Sequence, residues 1–543
     1  PSHLSLDLSI PRAKMGELAG YLPKSIDSEV LNYLSGTLIA GDIKNAQLKI
    51  RGNPEKIPYS SNIPGRFEII VPIENGTFKP SPKLATEIGE WPAFEKLNGL
   101  VKMNNSELSV EINQASFKGA NISNIKSSAD FSKDIAILNL EGNIDGLSQD
   151  ILNYISKTPA LAIYSSITKE LALTGNTKAN LKLEHPFSNK VPTKFTANVN
   201  LENNQVKYSD MPPATVKSGS LIITEMGIEQ ANITGEWLGG PASIKSDPTI
   251  KRALTFNGKA DFGKFGQLAL TKNDPTSLEI KKKLSGLMTY QGKLFKQEQK
   301  STVEIEFDLK NASIDLPRPL NKPLGIPMPG KATITSNSAN KSEFGFDWNL
   351  TLGDRFQSKG ISKNGKIEKH GVSLGNLTAS LPTSGTGIVF DVDTLQGDEW
   401  AKILGADSNK PNSNKSAKTA EGPIQMTGIS TIKGKAKHLI IADRDISDFS
   451  VVATHEGDFW VAKVDSPFVA GQFKWQSANL SLPSGELTAK LSKLIIPDEE
   501  TNDALTKGLQ STSTRIPKLD ISSDQFVIGK RNFGSLSIQA TGE

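Results

Sequence analysis

The side chains that most often carry out catalysis or bind metals are few and scattered in this chain. Its five histidines stand at positions 3, 185, 370, 438 and 455, and no two have metal-ligand spacing. The sequence has no H-E-x-x-H, no G-x-S-x-G, no phosphate-binding loop and no dinucleotide fingerprint before a helix. Absence of cysteine excludes disulfides and thiolate metal sites. We therefore predict that the protein is not an enzyme and uses no cofactor or metal.

Two charged clusters also lack the pattern that a binding site requires. Segment 442–448 (A-D-R-D-I-S-D) has three aspartates but neither the oxygen spacing nor the central glycine of a calcium loop. The lysines at 281–283 have no interleaved aromatic residues, as nucleic-acid binding would need, and we interpret them as a solvated strand end. The net charge is only +4, from 62 basic and 58 acidic residues. No nucleic-acid partner is expected.

What recurs instead is a strict alternation of apolar and polar residues. The chain reads V-E-I-E-F-D-L from Val303 and F-G-F-D-W-N-L-T-L from Phe344. In a strand, successive side chains point to opposite faces, so each run makes a ribbon with one apolar and one wet face. We predict that Glu304, Glu306 and Asp347 face water.

The alternation defines a set of residues that should share an apolar face and need a partner to cover it. They are Leu108, Val110, Ile112, Phe195, Val199, Leu201, Val303, Ile305, Phe307, Phe344, Phe346, Trp348 and Leu350. Closed β-sandwiches are the commonest use of such strands. An open face would be a large apolar patch, which soluble proteins rarely leave without a ligand or partner.

Turn signals predict an antiparallel meander of short strands with little helix. Asparagine–glycine and related turn sequences occur at 74–76, 98–99, 141–143, 203–204, 363–365 and 483–485. Strands of five to nine residues joined by such turns would make a trough roughly 17–30 Å wide. Helical patterns are confined to 28–34, 147–155, 159–172 and 398–404. We expect fewer than a fifth of the residues in helices.

The organisation along the chain follows from composition. We expect β structure over 1–405, a flexible linker at 406–421 and a continuation of the same sheet over 422–543. Residues 406–420 (A-D-S-N-K-P-N-S-N-K-S-A-K-T-A) have no apolar anchor and should be replaceable by a short Gly/Ser linker without change in melting temperature or lipid content. The five-proline segment 316–329 should cover a sheet edge. There is no initiator Met and no signal peptide, which suggests a piece of a longer protein.

The first part of the chain resembles a known family. The resemblance rests on Y-L-P at 21–23, I-K-N-A-Q-L-K-I-R-G at 43–52 and I-P-Y at 57–59, and continues through G-N-I-D-G-L-S-Q-D-I-L-N-Y-I at 142–155 and T-G-N-T-K-A-N-L-K-L-E-H-P-F at 174–187. These segments are similar to the central part of the YhdP-type proteins of the AsmA-like family, which are large proteins anchored in the inner membrane of Gram-negative bacteria.

The resemblance implies a repeating β-groove, a long twisted antiparallel sheet curled around an apolar lining, with a few short helices. The residues of the alternating set would then line a lipid path. The implied partners are phospholipid acyl chains, together with the inner and outer membranes through other parts of the parent protein. The implied location is the periplasm. The alternative is a row of β-sandwiches that serves as a protein-binding or scaffold module of the cell envelope.

Overall fold

The fold was determined from a computed structural model of the whole chain. It describes residues 3–21, 28–57, 59, 63–80, 85–86, 89–90, 92–156, 168, 170–188, 190–209, 211–269, 275–297, 300–336, 345–403, 428–441, 444–476, 485–497 and 517–541. The structure is 69% strand and 11% helix, so the predicted all-β class with few helices is confirmed. Within the described residues, no helix is long and apolar enough to cross a membrane.

The elements are numbered in chain order. The first sixteen strands are β1 (Leu4–Lys14), β2 (Leu38–Gly52), β3 (Arg66–Phe78), β4 (Ala85–Thr86), β5 (Gly89–Glu90), β6 (Phe94–Asn104), β7 (Glu107–Phe117), β8 (Ala120–Asp130), β9 (Ile137–Leu147), β10 (Leu171–Leu173), β11 (Asn176–Pro186), β12 (Lys194–Tyr208), β13 (Ala214–Thr224), β14 (Gly227–Trp237), β15 (Gly240–Ser246) and β16 (Leu254–Asp261). The others are β17 (Leu284–Gln297), β18 (Lys300–Asp308), β19 (Ala312–Ile314), β20 (Pro329–Ser336), β21 (Gly345–Leu352), β22 (Phe356–Lys363), β23 (Lys366–Leu374), β24 (Gly385–Gln396), β25 (Ile429–Ile441), β26 (Arg444–Glu456), β27 (Phe459–Asp465), β28 (Val469–Gln476), β29 (Glu486–Ile496), β30 (Lys518–Ile528) and β31 (Arg531–Ala540). The α-helices are α1 (Ser28–Thr37), α2 (Ser148–Ile155), α3 (Phe262–Ala269), α4 (Pro275–Lys282) and α5 (Gly397–Ile403), and short 3₁₀ helices span Met15–Tyr21 and Pro54–Lys56.

Contacts divide the chain into two compact units, Pro1–Phe256 and Asn257–Glu543. In the first unit, twelve strands pair in the order β1-β2-β3-β6-β7-β8-β9-β11-β12-β13-β14-β15, every neighbour antiparallel. A buried core lies where α2 and the first 3₁₀ helix pack on the sheet. There Tyr154 of α2 stacks on Phe117 of β7, with 4.2 Å between ring centroids.

In the second unit, fourteen strands pair in the order β17-β18 and then β20 through β31 in sequence, while β19 adds to the start of β17. The pairs β23–β24, β24–β25 and β29–β30 are parallel, and the rest are antiparallel. The predicted meander is therefore interrupted at three places. In the described part of the chain, the only strands outside the 29-stranded sheet are the two-residue pair β4–β5, so no second sheet closes a sandwich.

Most of the predicted turns were wrong because they lie inside long strands. Segments 74–76, 98–99, 141–143 and 203–204 fall within β3, β6, β9 and β12, and only 363–365 is confirmed as a turn. Segment 483–485 lies largely outside the described residues. At Asn75, φ is +49° and the register with β6 shifts, which marks a β-bulge. Asparagine tolerates this conformation in a turn and in a bulge alike. Because the chain continues as a strand through these segments, the strands reach 15 residues, about 50 Å, instead of five to nine.

The helix predictions were correct for three short elements, α1, α2 and α5. Of the predicted helix 159–172, positions 168 and 170 are helical, the last two positions belong to β10, and the others lie outside the described residues. The sequence analysis missed α3 and α4. Lys281 and Lys282 end α4, so the prediction of a strand end there was wrong.

The proline-rich segment 316–329 is irregular, and buried Lys322 donates hydrogen bonds from Nζ to the carbonyl oxygens of Ala312 and Pro323.

The parallel pair β24–β25 sets a minimum length for the connection between its strands. Gln396 at the end of β24 lies opposite Ile440, whereas β25 begins at Ile429. The chain must therefore return along about eleven residues of strand, roughly 36 Å. Because α5 begins beside Ile440, the residues between Ile403 and Ile429 have to span most of this distance. The predicted linker 406–421 belongs to this connection and lies outside the described residues.

The register of β24 and β25 revises the expectation that a short linker would suffice, and we predict that the length of 406–420 matters while its composition does not. Replacing these 15 residues by a Gly/Ser segment of equal length should leave the melting temperature unchanged. Deleting them leaves ten residues, which span at most about 33–36 Å, and should lower the melting temperature by several degrees. Differential scanning fluorimetry of both variants checks this. Destabilisation by the equal-length replacement would show that the segment packs on the sheet.

Candidate functional site

The candidate site of the second unit is one face of its sheet, which the hydrogen-bond register traces residue by residue. Residues directly opposite each other on paired strands share a face. Starting at Ile305 and following the pairs across thirteen strands gives a row that we call the central lane. It consists of Ile305, Ala332, Leu350, Ser358, Val372, Ile388, Ile432, Ala453, Ala462, Phe473, Ala489, Ile521 and Ile538. Every member except Ser358 is apolar.

The row one residue away, on the opposite face, has the contrary character. It consists of Glu306, Lys331, Thr351, Gln357, Ser373, Val389, Lys433, Val452, Lys463, Gln472, Lys490, Ser522 and Ser537. Eleven of these thirteen residues are polar or charged. Glu306 forms an ion pair with Lys331 across the strands, at 2.7 Å. We call the side of the central lane the apolar face and this side the polar face.

The first unit has the same one-sided construction. Two rows of its apolar face run across seven strands each. The first is Ala115, Ile122, Ile144, Ala179, Val199, Leu221 and Ala231, and the second is Val71, Val101, Val110, Ser127, Leu140, Leu183 and Phe195. A row of its polar face is Gln114, Ser123, Asn143, Asn180, Asn198, Ile222 and Gln230. Asn180 donates a hydrogen bond to Asn143 Oδ1 at 3.0 Å on that face.

Both apolar faces stay partly open to solvent. In the second unit, Leu294 and Ile334 are 38% and 37% exposed although each lies opposite Val303. In the first unit, Ile228 and Ile244 on the same face are 36% and 37% exposed. A closed core would bury such side chains almost completely. The faces therefore offer apolar surface that no other described part of the chain covers.

The register brings the predicted residues of the second unit together. Val303 lies opposite Ile334 and Ile334 opposite Trp348, while Ile305 joins Leu350 through Ala332. Glu304 and Glu306 are exposed on the polar face. Asp347 also lies on that face but is half-buried. Phe346 shares the apolar face, Phe307 is buried on it, and Phe344 lies outside the described residues.

The predicted residues of the first unit also share one face, although their exposure differs. Val110 of β7 and Phe195 of β12 belong to the same row, and Leu108 and Ile112 flank Val110 on its strand. Val199 and Leu201 follow Phe195 along β12. Ile112 is buried in the core next to α2, whereas Val199 and Leu201 are half-buried. Contact of these residues with lipid stays a prediction.

Sequence reasoning missed how the large rings lie on the apolar face. Three aromatic side chains lie flat on a glycine of the neighbouring strand. The pairs are Phe307 on Gly330, Trp348 on Gly360 and Phe390 on Gly434. A methyl group added at these glycines would stand only 2.0 to 2.3 Å from a ring carbon. Both partners are visible in the sequence, but their pairing depends on the register between strands.

A small polar cluster interrupts the apolar face beside one of these rings. Trp348 Nε1 donates a hydrogen bond to Ser358 Oγ at 3.1 Å, and Ser358 Oγ lies 3.0 Å from His370 Nε2. His370 Nδ1 is buried without a hydrogen-bond partner among the described residues. Burial lowers the pKa of His370 below its usual value, because the charged imidazolium loses its hydration.

We predict that His370 makes stability fall in mild acid. Its folded-state pKa lies below the value of about 6.5 in the unfolded chain, so the unfolded chain binds the proton first as pH drops. Its contribution is full above pH about 6.5 and declines below that value. His370→Gln should therefore reduce the difference in melting temperature between pH 7.5 and pH 5.5. His455→Gln, at an exposed histidine, is the control, and an unchanged difference in His370→Gln would contradict the prediction.

No group of three or more histidine, cysteine or acidic side chains that could hold a metal ion occurs in the described segments. What the site offers is apolar surface, a few aromatic rings and a charged reverse side. Such a surface is chemically suited to contact apolar chains.

Comparison with known proteins agrees with this chemistry. A family model described as "YhdP protein" matches residues 1–543. The chain is 27% identical over 331 residues to the intermembrane phospholipid transporter YhdP of Escherichia coli (strain K12). This alignment covers 58% of the chain and 25% of the relative, so the chain matches about a quarter of that protein. No solved structure matches the chain.

Proposed function

Since this chain belongs to the YhdP family, we propose that its apolar faces carry phospholipids between the inner and outer membranes of a bacterial cell envelope. The relative that it resembles is named as an intermembrane phospholipid transporter. On this proposal the chain is a periplasmic segment of a lipid-conducting groove, and membrane docking belongs to other parts of the parent protein.

The observation that carries the proposal is the central lane, in which twelve of thirteen residues are apolar. Thirteen strands at about 4.8 Å spacing extend it over roughly 58 Å within the second unit. Each CH₂ group that leaves water contributes about 0.8 kcal/mol. Two acyl chains lying against the lane would thus be held strongly against escape into water, while their polar headgroup stays at the open side.

The uniform composition of the lane also explains how a bound lipid would move. Apart from Ser358, the row consists of Ile, Val, Leu, Ala and Phe, so the binding free energy changes little from strand to strand. Sliding then crosses only low barriers and needs no covalent chemistry. Because the lane is apolar on both sides of Ser358, the direction of transport has to come from what lies at its ends.

The site for testing conduction has to be exposed as well as apolar. Phe307 is 7% exposed and covers Gly330, so a charge at that position would chiefly disturb packing. Ile334, at 37% exposed, lies in the next row of the same face. Val452, at 51% exposed, lies on the polar face and supplies the matched control.

We predict that Ile334→Asp leaves the protein folded but lowers the phospholipid bound to the purified chain severalfold, because the carboxylate repels acyl chains and remains hydrated. Val452→Asp should bind the wild-type amount. Circular dichroism measures folding and mass spectrometry of extracted lipid measures binding. The same substitution in the full-length parent should reduce phospholipid supply to the outer membrane. Normal folding together with normal lipid content in Ile334→Asp would refute conduction along this face.

A further inference from the structure

The apolar face of the second unit changes in polarity along its strands. On β18, the residues Ser301, Val303, Ile305 and Phe307 stand in four successive rows of that face. The row of Ile305 is the central lane. Each of the other three rows has its own composition, and together they run from apolar at the end of β18 to polar at its beginning.

The row of Phe307, which we call the phenylalanine row, contains only aliphatic residues, phenylalanine and glycine between β18 and β29, and it continues to Tyr290 on β17 and Ser523 on β30. Its members between β18 and β29 are Phe307, Gly330, Leu352, Phe356, Leu374, Phe390, Gly434, Val451, Val464, Gly471 and Leu491. None of these side chains has a hydrogen-bonding group. This side of the face matches the ends of acyl chains.

The row of Val303 lies on the other side of the central lane from the phenylalanine row. We call it the amphipathic row, because it is rich in tryptophan and histidine. It consists of Val303, Ile334, Trp348, Gly360, His370 and Thr386, and further along the sheet of His455, Trp460, Trp475, Leu487 and Leu519. Three of the six tryptophans of the chain fall in this single row. Tryptophan prefers the boundary between hydrocarbon and water, because its ring is apolar and its N–H is polar.

Beyond the amphipathic row, the face becomes more polar. The next row contains Ser301, Ser336 and Ser362 together with Phe346 and Ile367, and Ser301 donates its backbone N–H to Ser336 Oγ at 2.8 Å. Lys300 and Lys366, both exposed, begin β18 and β23 beside this row and belong to the polar face by register. The hydroxyl groups of the row suit a phosphate and its glycerol oxygens.

The four rows have the dimensions of a phospholipid. Rows of one face are two residues apart, about 6.8 Å, so three steps cover roughly 20 Å. Half of a bilayer, headgroup included, is about 20–22 Å thick. The order of polarity is also that of the lipid, from acyl ends through the ester region to the headgroup.

We infer that phospholipids lie in this unit with their long axis along the strands, the headgroup at the rim where β18 begins and the acyl ends over the phenylalanine row. This inference rests on the proposed function and adds a fixed orientation to it. The lipid then moves sideways across successive strands without turning over.

The experiment uses the absence of native cysteine to place one label at a time in the full chain. Ser301→Cys and Ile305→Cys are labelled with bimane, and Glu304→Cys on the polar face of the same strand is the matched control. The protein is loaded from vesicles of phosphatidylethanolamine and phosphatidylglycerol that contain phosphatidylcholine with a nitroxide either on the headgroup or at acyl carbon 16. Vesicles are removed by gel filtration before fluorescence quenching is measured.

The label at position 301 should be quenched at least twofold more by the headgroup nitroxide, and the label at 305 at least twofold more by the acyl nitroxide. The label at 304 should respond to neither. A reversed preference, or equal preference at 301 and 305, overturns the orientation while leaving lipid binding intact. No quenching at 301 and 305 counts against the proposed function itself. If a β18 variant fails to fold, His455→Cys and Val451→Cys on β26 provide the same comparison.

Discussion

The register of the hydrogen-bond ladder is the constraint on which the rest of this structure depends. A strand that slipped by one residue would turn its entire apolar set to the other face. Thirteen consecutive strands of the second unit keep apolar residues in one row only because every pairing, parallel or antiparallel, is in phase. In the first unit, the bulge at Asn124 lets Ile122 and Ser127 face the same side although they are an odd number of residues apart.

An apolar face left open has consequences for stability and solubility. Much of the stabilisation comes from ladder hydrogen bonds and from neighbours on the same face, since no second sheet covers the strands in the described part of the chain. The corner around Tyr154, and the cluster of Phe390, Val392 and Ala436, are packed as buried cores. Lysines on the polar face keep that side hydrated. An apolar ligand that covered the exposed face would stabilise the folded chain, because it would bind the folded state and not the unfolded one.

The fold class could be predicted from the sequence because period-two alternation, as in 303–309, is a local signal. The three short helices α1, α2 and α5 were recognisable because helix signals are local as well. The bulges were not, since Asn75-Gly76 reads identically as a turn and as an irregularity within a strand. The parallel junctions and the contact of Phe307 with Gly330 join residues that only the register brings together. The apolar set was therefore identified as residues sharing a face, but not as an ordered series of rows.

Where an aromatic ring lies flat on a glycine of the next strand, each of the two positions restricts the substitutions that the other can accept. Glycine at position 360 is required because of Trp348 on the adjacent strand, and not because its own backbone is unusual. A side chain can appear there only after the indole has been replaced by something smaller. The aromatic residue and the glycine are also free to exchange strands, provided that both change. Such positions should vary as pairs across homologues, and each covarying pair would identify two neighbouring strands and fix the register between them.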